Sequence, residues 1–232
     1  MKLLPFVLIF VLTACGSETG NARLKNVKPG NVQFFETYGL YEILDSWKAA
    51  CTWVNEQDTL AEGENPNSLG ALVQLSNENK FGYVAENDIF RVDSLLSLSE
   101  VKNNFPKDLK FMWSFGLEES PNGKKMYALY AVKVPSGNNA PIDGRHIESA
   151  SFARSQFTNA PIITISMTKD GAHDWEVMTR KNIGRPIAIT IDHQVLSCPV
   201  VNDAIVGGAT EISGNFSIAE AEELAARINL GK

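Results

Sequence analysis

The strongest constraint on this fold is a short apolar run in the first fifteen residues, with no longer apolar run in the rest of the sequence. A cationic start at Lys2 precedes an apolar run from Leu3 to Val11, which is the order of charge and apolar core found in a secretion signal. That run is far shorter than the ~20 apolar residues that a membrane-spanning helix needs. No later stretch of the sequence comes close. The rest of the chain is therefore expected to fold in water.

The end of the apolar run predicts a lipid anchor. Leu12-Thr13-Ala14-Cys15 resembles the lipobox of bacterial lipoproteins, in which the cysteine thiol is acylated and the cysteine becomes the new N-terminus. The resemblance implies a signal segment over residues 1–15, with Cys15 as the lipidation site. A plain secretory peptide with a fortuitous Cys15 is the alternative. Residues 16–30 lack apolar periodicity and are predicted to form a flexible tether.

Composition narrows the classes of partner. Hydrophobic residues make up 44% and charged residues 21% of the chain, which is typical of a globular protein of one large domain or two small ones. The net charge is -6 and the sequence has no basic block. Because binding to phosphates needs clustered Lys and Arg, nucleic acid is not an expected partner.

Two further cysteines, Cys51 and Cys198, leave two interpretations open. An oxidising compartment permits a disulfide between them. However, Cys51 lies on the apolar face of a predicted helix and Cys198 lies in an apolar, strand-like stretch. Both settings favour a buried thiol that acts as a small hydrophobic side chain.

The sequence of the N-terminal half predicts one long helix, one hairpin and several short strands. Apolar residues from Leu40 to Val54 recur at helical spacing and predict an amphipathic helix. Leu109 to Phe115 and Met126 to Val134 are β-type runs, and the Pro-Asn-Gly at residues 121–123 predicts a hairpin between them. The remaining predicted elements are short strands at Val32–Tyr38, Ala71–Leu75 and Gly82–Ala85, and a helix from residue 88 to about 98.

The segment from Pro135 to Gly144, with its prolines and glycines, is the best internal boundary. It divides the chain into predicted regions 31–135 and 136–232. The second region reads as strands and two helices, of which the last starts with a capping box at Ser217 and Glu220. Its other predicted elements are strands at Ile147–Phe157, Pro161–Met167, Ile187–Ile191, Val195–Val201 and Ala209–Ser213, and a helix at about 172–181. The fold class is α+β, with mixed or mostly antiparallel sheets and packed helices.

Three segments of the second region carry a family resemblance. They are Ile183–Asp192 (IGRPIAITID), Val195–Val201 (VLSCPVV) and Ile212–Ala221 (ISGNFSIAEA). Their order and spacing resemble the first large periplasmic domain, P1, of SecD and of fused SecDF, the membrane subunits that assist protein export. Weaker likenesses extend back to Gln33–Tyr38, so the resemblance covers nearly the whole chain after the tether.

The resemblance implies a base-like region at 31–135, a head-like subdomain at 136–232, and a location in the cell envelope. It also implies contact with unfolded or extended polypeptide. SecD continues into membrane helices whose charged residues are tied to proton-driven movement, and the sequence here ends at Lys232 without them, so proton coupling is not carried over. Cys198 replaces the usual alanine of the family's "SAP" turn, which suits a small buried side chain.

No catalytic constellation emerges from the sequence. Asp192-His193 lies between two β runs, where a polar pair most simply makes a turn. The histidines His146, His173 and His193 lack a metal-ligand spacing, and no G-x-S-x-G elbow occurs. We therefore expect no catalytic residue, no metal, no cofactor and no enzymatic activity.

Binding is the favoured class of function. Most of the aromatic residues, the four tryptophans among them, should fill cores, while a few can form an exposed apolar patch. Ile147 to Phe157, with Arg145 and Arg154 beside it, can offer a strand edge to an extended peptide, although a strand internal to a sheet is the simpler interpretation.

The sequence thus predicts a non-catalytic envelope lipoprotein that faces the periplasm and touches the membrane only through its lipid. Its expected partners are exported polypeptides or Sec and other envelope proteins. The alternative is a structural or sensor module of the envelope that binds another envelope protein or a small ligand.

Overall fold

The computed structural model describes residues 27–57, 68–76 and 78–232. The predicted signal segment, Cys15 and most of the predicted tether lie outside these ranges. The described helices include none that is long and apolar enough to cross a membrane.

Short strands and helices alternate before residue 135, and one long hairpin follows them. The elements are β1 (Val32–Glu36), α1 (Leu40–Gln57), α2 (Leu69–Leu72), β2 (Gln74–Leu75), β3 (Gly82–Val84), a 3-10 turn (Glu86–Asp88), α3 (Ile89–Ser97), α4 (Ser99–Lys102), β4 (Leu109–Glu119) and β5 (Lys125–Lys133).

Strands dominate the second half, with one helix in its middle and one near its end. The elements are β6 (Ile142–Asp143), a 3-10 turn (Gly144–His146), β7 (Ile147–Arg154), β8 (Pro161–Met167), α5 (Lys169–Lys181), β9 (Ile187–Ile191), β10 (Gln194–Ser197), β11 (Ala209–Ser213) and α6 (Ile218–Leu230). The predicted α+β class is confirmed.

The larger sheet has eight strands in the order β2-β3-β5-β4-β10-β9-β1-β6. Strand β10 runs parallel to β4, whereas the other pairs of this sheet are antiparallel. Strands from both sides of the segment 135–144 therefore share one sheet, and β1 is inserted between β9 and β6. The division of the chain into 31–135 and 136–232 stays a prediction.

The larger sheet curls back on itself. Thr37, just after β1, forms a bridge with Val132 of β5, and the amide of Tyr38 donates to the carbonyl of Ala131 at 2.8 Å. The end of β1 thus meets a strand four places away in the sheet order. Buried side chains such as Phe35 and Cys198 form a core cluster with residues of β4, β5, β9 and β10.

Helix α1 covers the β3–β5–β4 part of the sheet. Its buried face carries Ile43, Trp47, Ala50 and Val54, which is the helical spacing that the sequence predicts. Trp47 packs edge-on against Phe81 with ring centroids 4.8 Å apart. This cluster also takes in α2, α3 and α4.

The smaller sheet has three antiparallel strands in the order β11-β8-β7. Its apolar residues share a core with α5, α6 and the inner side of β1 and β9. The predicted capping box of α6 is confirmed, because Ser217 Oγ accepts from the Glu220 amide at 3.2 Å and Glu220 Oε2 accepts from the Ser217 amide at 2.8 Å.

Three predicted strands differ from the observed ones by three or more residues at one end. The stretch 71–75 starts as the end of α2, because Ser68 Oγ caps that helix by accepting from the Ala71 amide at 3.1 Å. The stretch 195–201 is a strand only to Ser197, since Pro199 has no amide to donate. The stretch 147–157 ends as a strand at Arg154, and residues 155–160 turn into β8.

Candidate functional site

Asp192 and His193 form the turn between β9 and β10, as predicted. Both have positive φ, 48° and 68°, the backbone geometry of the tight turns that join twisted strands. The Asp192 carboxylate accepts from the Asn31 amide at 2.8 Å and pairs with Arg227. The Asp192-His193 turn therefore has a structural role.

Of the three histidines, His146 contacts two aspartates of the fold. His146 Nδ1 accepts from the Asp143 amide at 3.1 Å, and its Nε2 lies 3.5 Å from Asp174 Oδ2. This arrangement holds the 3-10 turn before β7 against α5. The described residues contain no group of three or more His, Cys, Asp or Glu side chains that could hold a metal ion.

Cys51 and Cys198 are free thiols, so the buried-thiol interpretation is the one that the structure matches. Burial raises the pKa of the half-buried Cys51 thiol to about 11. Burial also raises the pKa of Cys198, and the nearby Glu118 carboxylate adds to that effect. Neither thiol is set up as a nucleophile.

The outer edge of β7, where the sequence suggests a docking strand, is occupied at Ala150. Helix α6 lies against it, and the Asn229 carboxamide bonds both backbone groups of Ala150, with Nδ2–O 2.6 Å and N–Oδ1 3.0 Å. An incoming strand would have to displace these bonds. The predicted edge therefore lies at the border of its sheet, and its backbone groups at Ala150 are already bonded.

The outer edge of β11 has no strand partner among the described strands. The Met167 amide donates to the Gly208 carbonyl at 3.0 Å, and the register places Thr210 and Ile212 opposite Ile165 and Ile163 of β8. In an antiparallel pair the bonded residues alternate along a strand. Residues 209, 211 and 213 therefore direct their backbone N–H and C=O groups away from β8.

A largely apolar cavity of about 620 Å³ lies beside the first part of β11. Its apolar wall includes Ile165, Ile187, Ile189 and Ile205, and Thr210 lies at its β11 side. Trp175 also lines it. The buried Trp175 Nε1 has no hydrogen-bond partner among the described residues.

A polar cavity of about 680 Å³ lies beside the end of β11 and the residues after it. At its floor the Tyr130 hydroxyl donates to Glu118 Oε1 at 2.8 Å, and Lys80 Nζ lies 3.1 Å from Glu118 Oε2. Burial raises the pKa of Tyr130, and the Glu118 charge adds to the effect. Burial alone would lower the pKa of Lys80, but its contacts with Tyr83 and Glu118 outweigh it and raise that pKa. The lysine and the carboxylate thus form a charged pair.

The two cavities lie beside successive parts of β11 and share one lining residue. Pro199 lines both, and the β11 segment from Ala209 to Phe216 borders first the apolar and then the polar cavity. We call this feature the β11 groove. It offers unpaired backbone groups along one side and two chemically different cavities for side chains.

The sequence predicts β11 as a strand but does not reveal its free edge. Strand order decides which edge is free, and the partners of β11 are non-local. Lys80 and Glu118 lie in separate segments without a motif, so only the folded chain shows that they meet.

Comparison with known proteins agrees with the sequence motifs. Residues 124–232 match the family model described as the SecDF P1 head subdomain. The protein translocase subunit SecD of Rhodothermus marinus is 27% identical over 207 residues, which cover 88% of this chain and 32% of that protein. SecD of Rickettsia prowazekii is 37% identical over 90 residues, which cover 39% of this chain and 17% of that protein. The chain thus spans about a third or less of the length of these relatives.

Solved SecDF structures are similar at lower identity. A membrane component SecDF that enhances protein export is 19% identical, with a TM-score of 0.39 over 86% of this chain and 93% of that chain. SecDF in the super-membrane-facing form is also 19% identical, with a TM-score of 0.40 over 88% of this chain and 29% of that chain. The sequence matches thus show a SecD P1-like domain, in which residues 124–232 are similar to the P1 head subdomain.

Proposed function

We propose that this protein binds extended polypeptide segments in the β11 groove as an accessory of protein export. The observation that carries the proposal is the free edge of β11, whose outward backbone groups at residues 209, 211 and 213 border two cavities. An extended chain can complete such an edge through main-chain hydrogen bonds, which do not depend on its sequence. This suits a protein that meets many different exported chains.

The similarity to SecD supports the link to export. The relatives are protein translocase subunits, and their partners extend to this chain as part of the proposal. The chain would act by shape, apolar contact and backbone pairing, without catalysis.

The proposed location is the periplasmic side of a membrane, to which a lipid on Cys15 attaches the protein. The lipobox-like residues 12–15 support it. Labelling of cells with radioactive palmitate tests the anchor: label should enter the wild-type protein and be absent from Cys15→Ser. Equal labelling of both proteins would refute lipidation at Cys15.

Binding is tested with full-length protein in detergent and a permanently unfolded polypeptide, such as fluorescently labelled, reduced and alkylated ribonuclease A. Glu211→Pro removes one outward N–H without touching the ladder to β8. It should weaken binding about fivefold or more, since one hydrogen bond is lost and the ring obstructs the incoming strand. Glu211→Ala is the matched control and should bind as the wild type does.

Circular dichroism establishes that both variants fold. Equal binding by Glu211→Pro and wild type, or no binding by the wild type, would refute the proposal. In cells, a photo-reactive residue at position 211 should give adducts with secreted proteins or Sec subunits, and the same residue at exposed position 45 of α1 should not.

The polar cavity favours a second candidate function, a sensor module that binds a small polar ligand over Lys80, Glu118 and Tyr130. This function requires a ligand that stabilises the protein without competing with unfolded polypeptide. A thermal-shift screen of periplasmic metabolites, followed by competition with the labelled polypeptide, distinguishes the two.

A further inference from the structure

The apolar cavity beside β11 has one buried polar group in its wall that the fold leaves unsatisfied. The Trp175 indole lines this cavity and packs edge-on against Phe34, with ring centroids 5.2 Å apart. It is 2% exposed, and its Nε1 has no hydrogen-bond partner among the described residues. An indole N–H can only donate, and when buried it usually finds an acceptor, because a buried unpaired donor is costly. The carbonyl oxygen of a ligand would supply that acceptor.

The wall opposite the strands is held in place by the fold. The loop of residues 199–205 forms this wall, and backbone groups at its two ends are bonded. The Pro199 carbonyl accepts from the Ile187 amide at 3.1 Å. The Ile205 amide donates to the hydroxyl of the buried Thr179 at 2.9 Å. The cavity is therefore formed before anything binds, as sites for small molecules usually are.

Size and charge define the class of ligand. A volume of about 620 Å³ lies within the range of small-molecule sites, roughly 300–1,000 Å³, and the isoleucines of the wall suit an apolar body. The charged residues of the described lining are Asp203 and Glu211, both exposed, and this lining includes no Lys, Arg or His. A carboxylate ligand would thus meet negative charges alone, whereas a neutral carbonyl oxygen meets no such repulsion.

We propose that this cavity binds a small neutral molecule with an apolar body and a carbonyl oxygen, to which the Trp175 N–H donates a hydrogen bond. An acyl amide, an ester and an aryl ketone all have this chemistry. The proposal concerns the cavity alone, so it is independent of the pairing of polypeptide with β11.

The probe is acetophenone, and the readout is the indole N–H region of the NMR spectrum of isotope-labelled full-length protein. The protein is held in phospholipid nanodiscs, because detergent monomers would compete for an apolar cavity. Acetophenone should move the Trp175 indole resonance downfield in a saturable way, since a new hydrogen bond deshields the proton. Loss of that resonance in Trp175→Phe identifies it. An unmoved Trp175 resonance, or no saturable binding, would overturn the proposal.

A second ligand tests the hydrogen bond itself. α-Methylstyrene has the shape of acetophenone with a methylene group in place of the oxygen, so it fills the cavity without accepting a hydrogen bond. Trp175→Phe keeps an aromatic ring without an N–H, and it should weaken acetophenone about fivefold more than it weakens α-methylstyrene. Equal weakening of both ligands would overturn the proposal. Circular dichroism establishes that the variant folds; if it does not, the assigned wild-type spectrum still decides.

A third ligand tests the charge of the lining. Benzoate has a carboxylate on the same ring and should bind more weakly than acetophenone. Asp203→Asn removes one negative charge, so it should strengthen benzoate about twofold and leave acetophenone unchanged. Benzoate that binds the wild type as tightly as acetophenone does, or that does not respond to Asp203→Asn, would overturn the preference for a neutral ligand.

Discussion

The Asn229 side chain makes the backbone hydrogen bonds that a neighbouring strand would make to Ala150, with its Nδ2 2.6 Å from the carbonyl oxygen and its Oδ1 3.0 Å from the amide nitrogen. Helix α6 thereby protects the outer edge of β7. The opposite edge of the same sheet, β11, has no strand partner among the described strands. In the proposed function, an incoming strand pairs with this edge of β11.

Replacement of Asn229 by Ala should expose that protected edge. The amide and carbonyl of Ala150 lose their partners, which should lower the free energy of unfolding by about 1–2 kcal/mol. Urea titration measures the loss, and hydrogen exchange at Ala150 should accelerate. Asn229→Asp keeps an acceptor for the amide and should fall between Ala and wild type. An Ala variant as stable as wild type would show that the bonds contribute nothing.

Gly171 in α5 should not tolerate alanine, although alanine is the better helix former by about 1 kcal/mol. A Cβ at this position would meet the carbonyl oxygen and Cβ of His146. Gly171→Ala should therefore destabilise the fold by about 1–3 kcal/mol in a thermal or urea melt. Gly116→Ala is the control, because a Cβ there has nothing within 4 Å. A more stable Gly171→Ala would refute the close packing of α5 on the turn before β7.

Glu42 should give the fold a pH-dependent contribution. Burial alone would raise its pKa, but the Gly39 amide at 2.6 Å and Arg185 at 2.8 Å, with Lys133 further off, lower it. A lowered pKa stabilises the fold above the ordinary value of 4.5, and the contribution is lost as the pH falls through the folded-state pKa. Glu42→Gln should thus be less stable than wild type near neutral pH and approach it in acid.

The size of that effect is limited by solvent. The Glu42 side chain is 41% exposed, so the difference near neutral pH should stay at about 0.5–1 kcal/mol. Asp45→Asn is the matched control on the same helix, because Asp45 is fully exposed and 3.6 Å from Lys48. Urea melts at a series of pH values measure both. A Glu42→Gln deficit that persists unchanged in acid would contradict the assignment.

The thiols of Cys51 and Cys198 should react more slowly than those of ordinary exposed cysteines. Burial raises the pKa of Cys51 to about 11 and also raises that of Cys198, so little thiolate is present near neutral pH. Iodoacetamide followed by peptide mapping should label Cys51 slowly and Cys198, which is 4% exposed, only after unfolding in urea. Rapid labelling of Cys198 in the native protein, or a disulfide between the two, would contradict the structure.

Local patterns were predictable from the sequence, whereas non-local pairings were not. The spacing of Ile43, Trp47 and Val54 predicts α1, and the Asp192-His193 turn and the α6 capping box follow from short-range chemistry. The insertion of β1 between β9 and β6 joins residues far apart in the chain, and no local signal encodes it. The error in strand length at 71–75 has a local cause in Ser68, whose side chain starts a helix where apolar residues suggest a strand.

The candidate site, too, was predictable from the sequence only in part. The sequence favours binding over catalysis, which stays a prediction, and it suggests a docking edge at β7. It could not show that Asn229 covers that edge, because a side chain near the end of a helix has no sequence signature for the strand that it meets. The free edge of β11 depends on strand order and emerges only from the fold.

The most direct measurement is residue-resolved amide exchange of the full-length protein by NMR, with and without unfolded ribonuclease A. The amides of Thr210 and Ile212 point to β8 and should exchange slowly in both states. Those of Ala209, Glu211 and Ser213 should exchange fast in the free protein and become protected when the polypeptide is added. If these three stay unprotected while polypeptide is bound, the chain does not use the free edge of β11 and the proposed mode of binding is wrong.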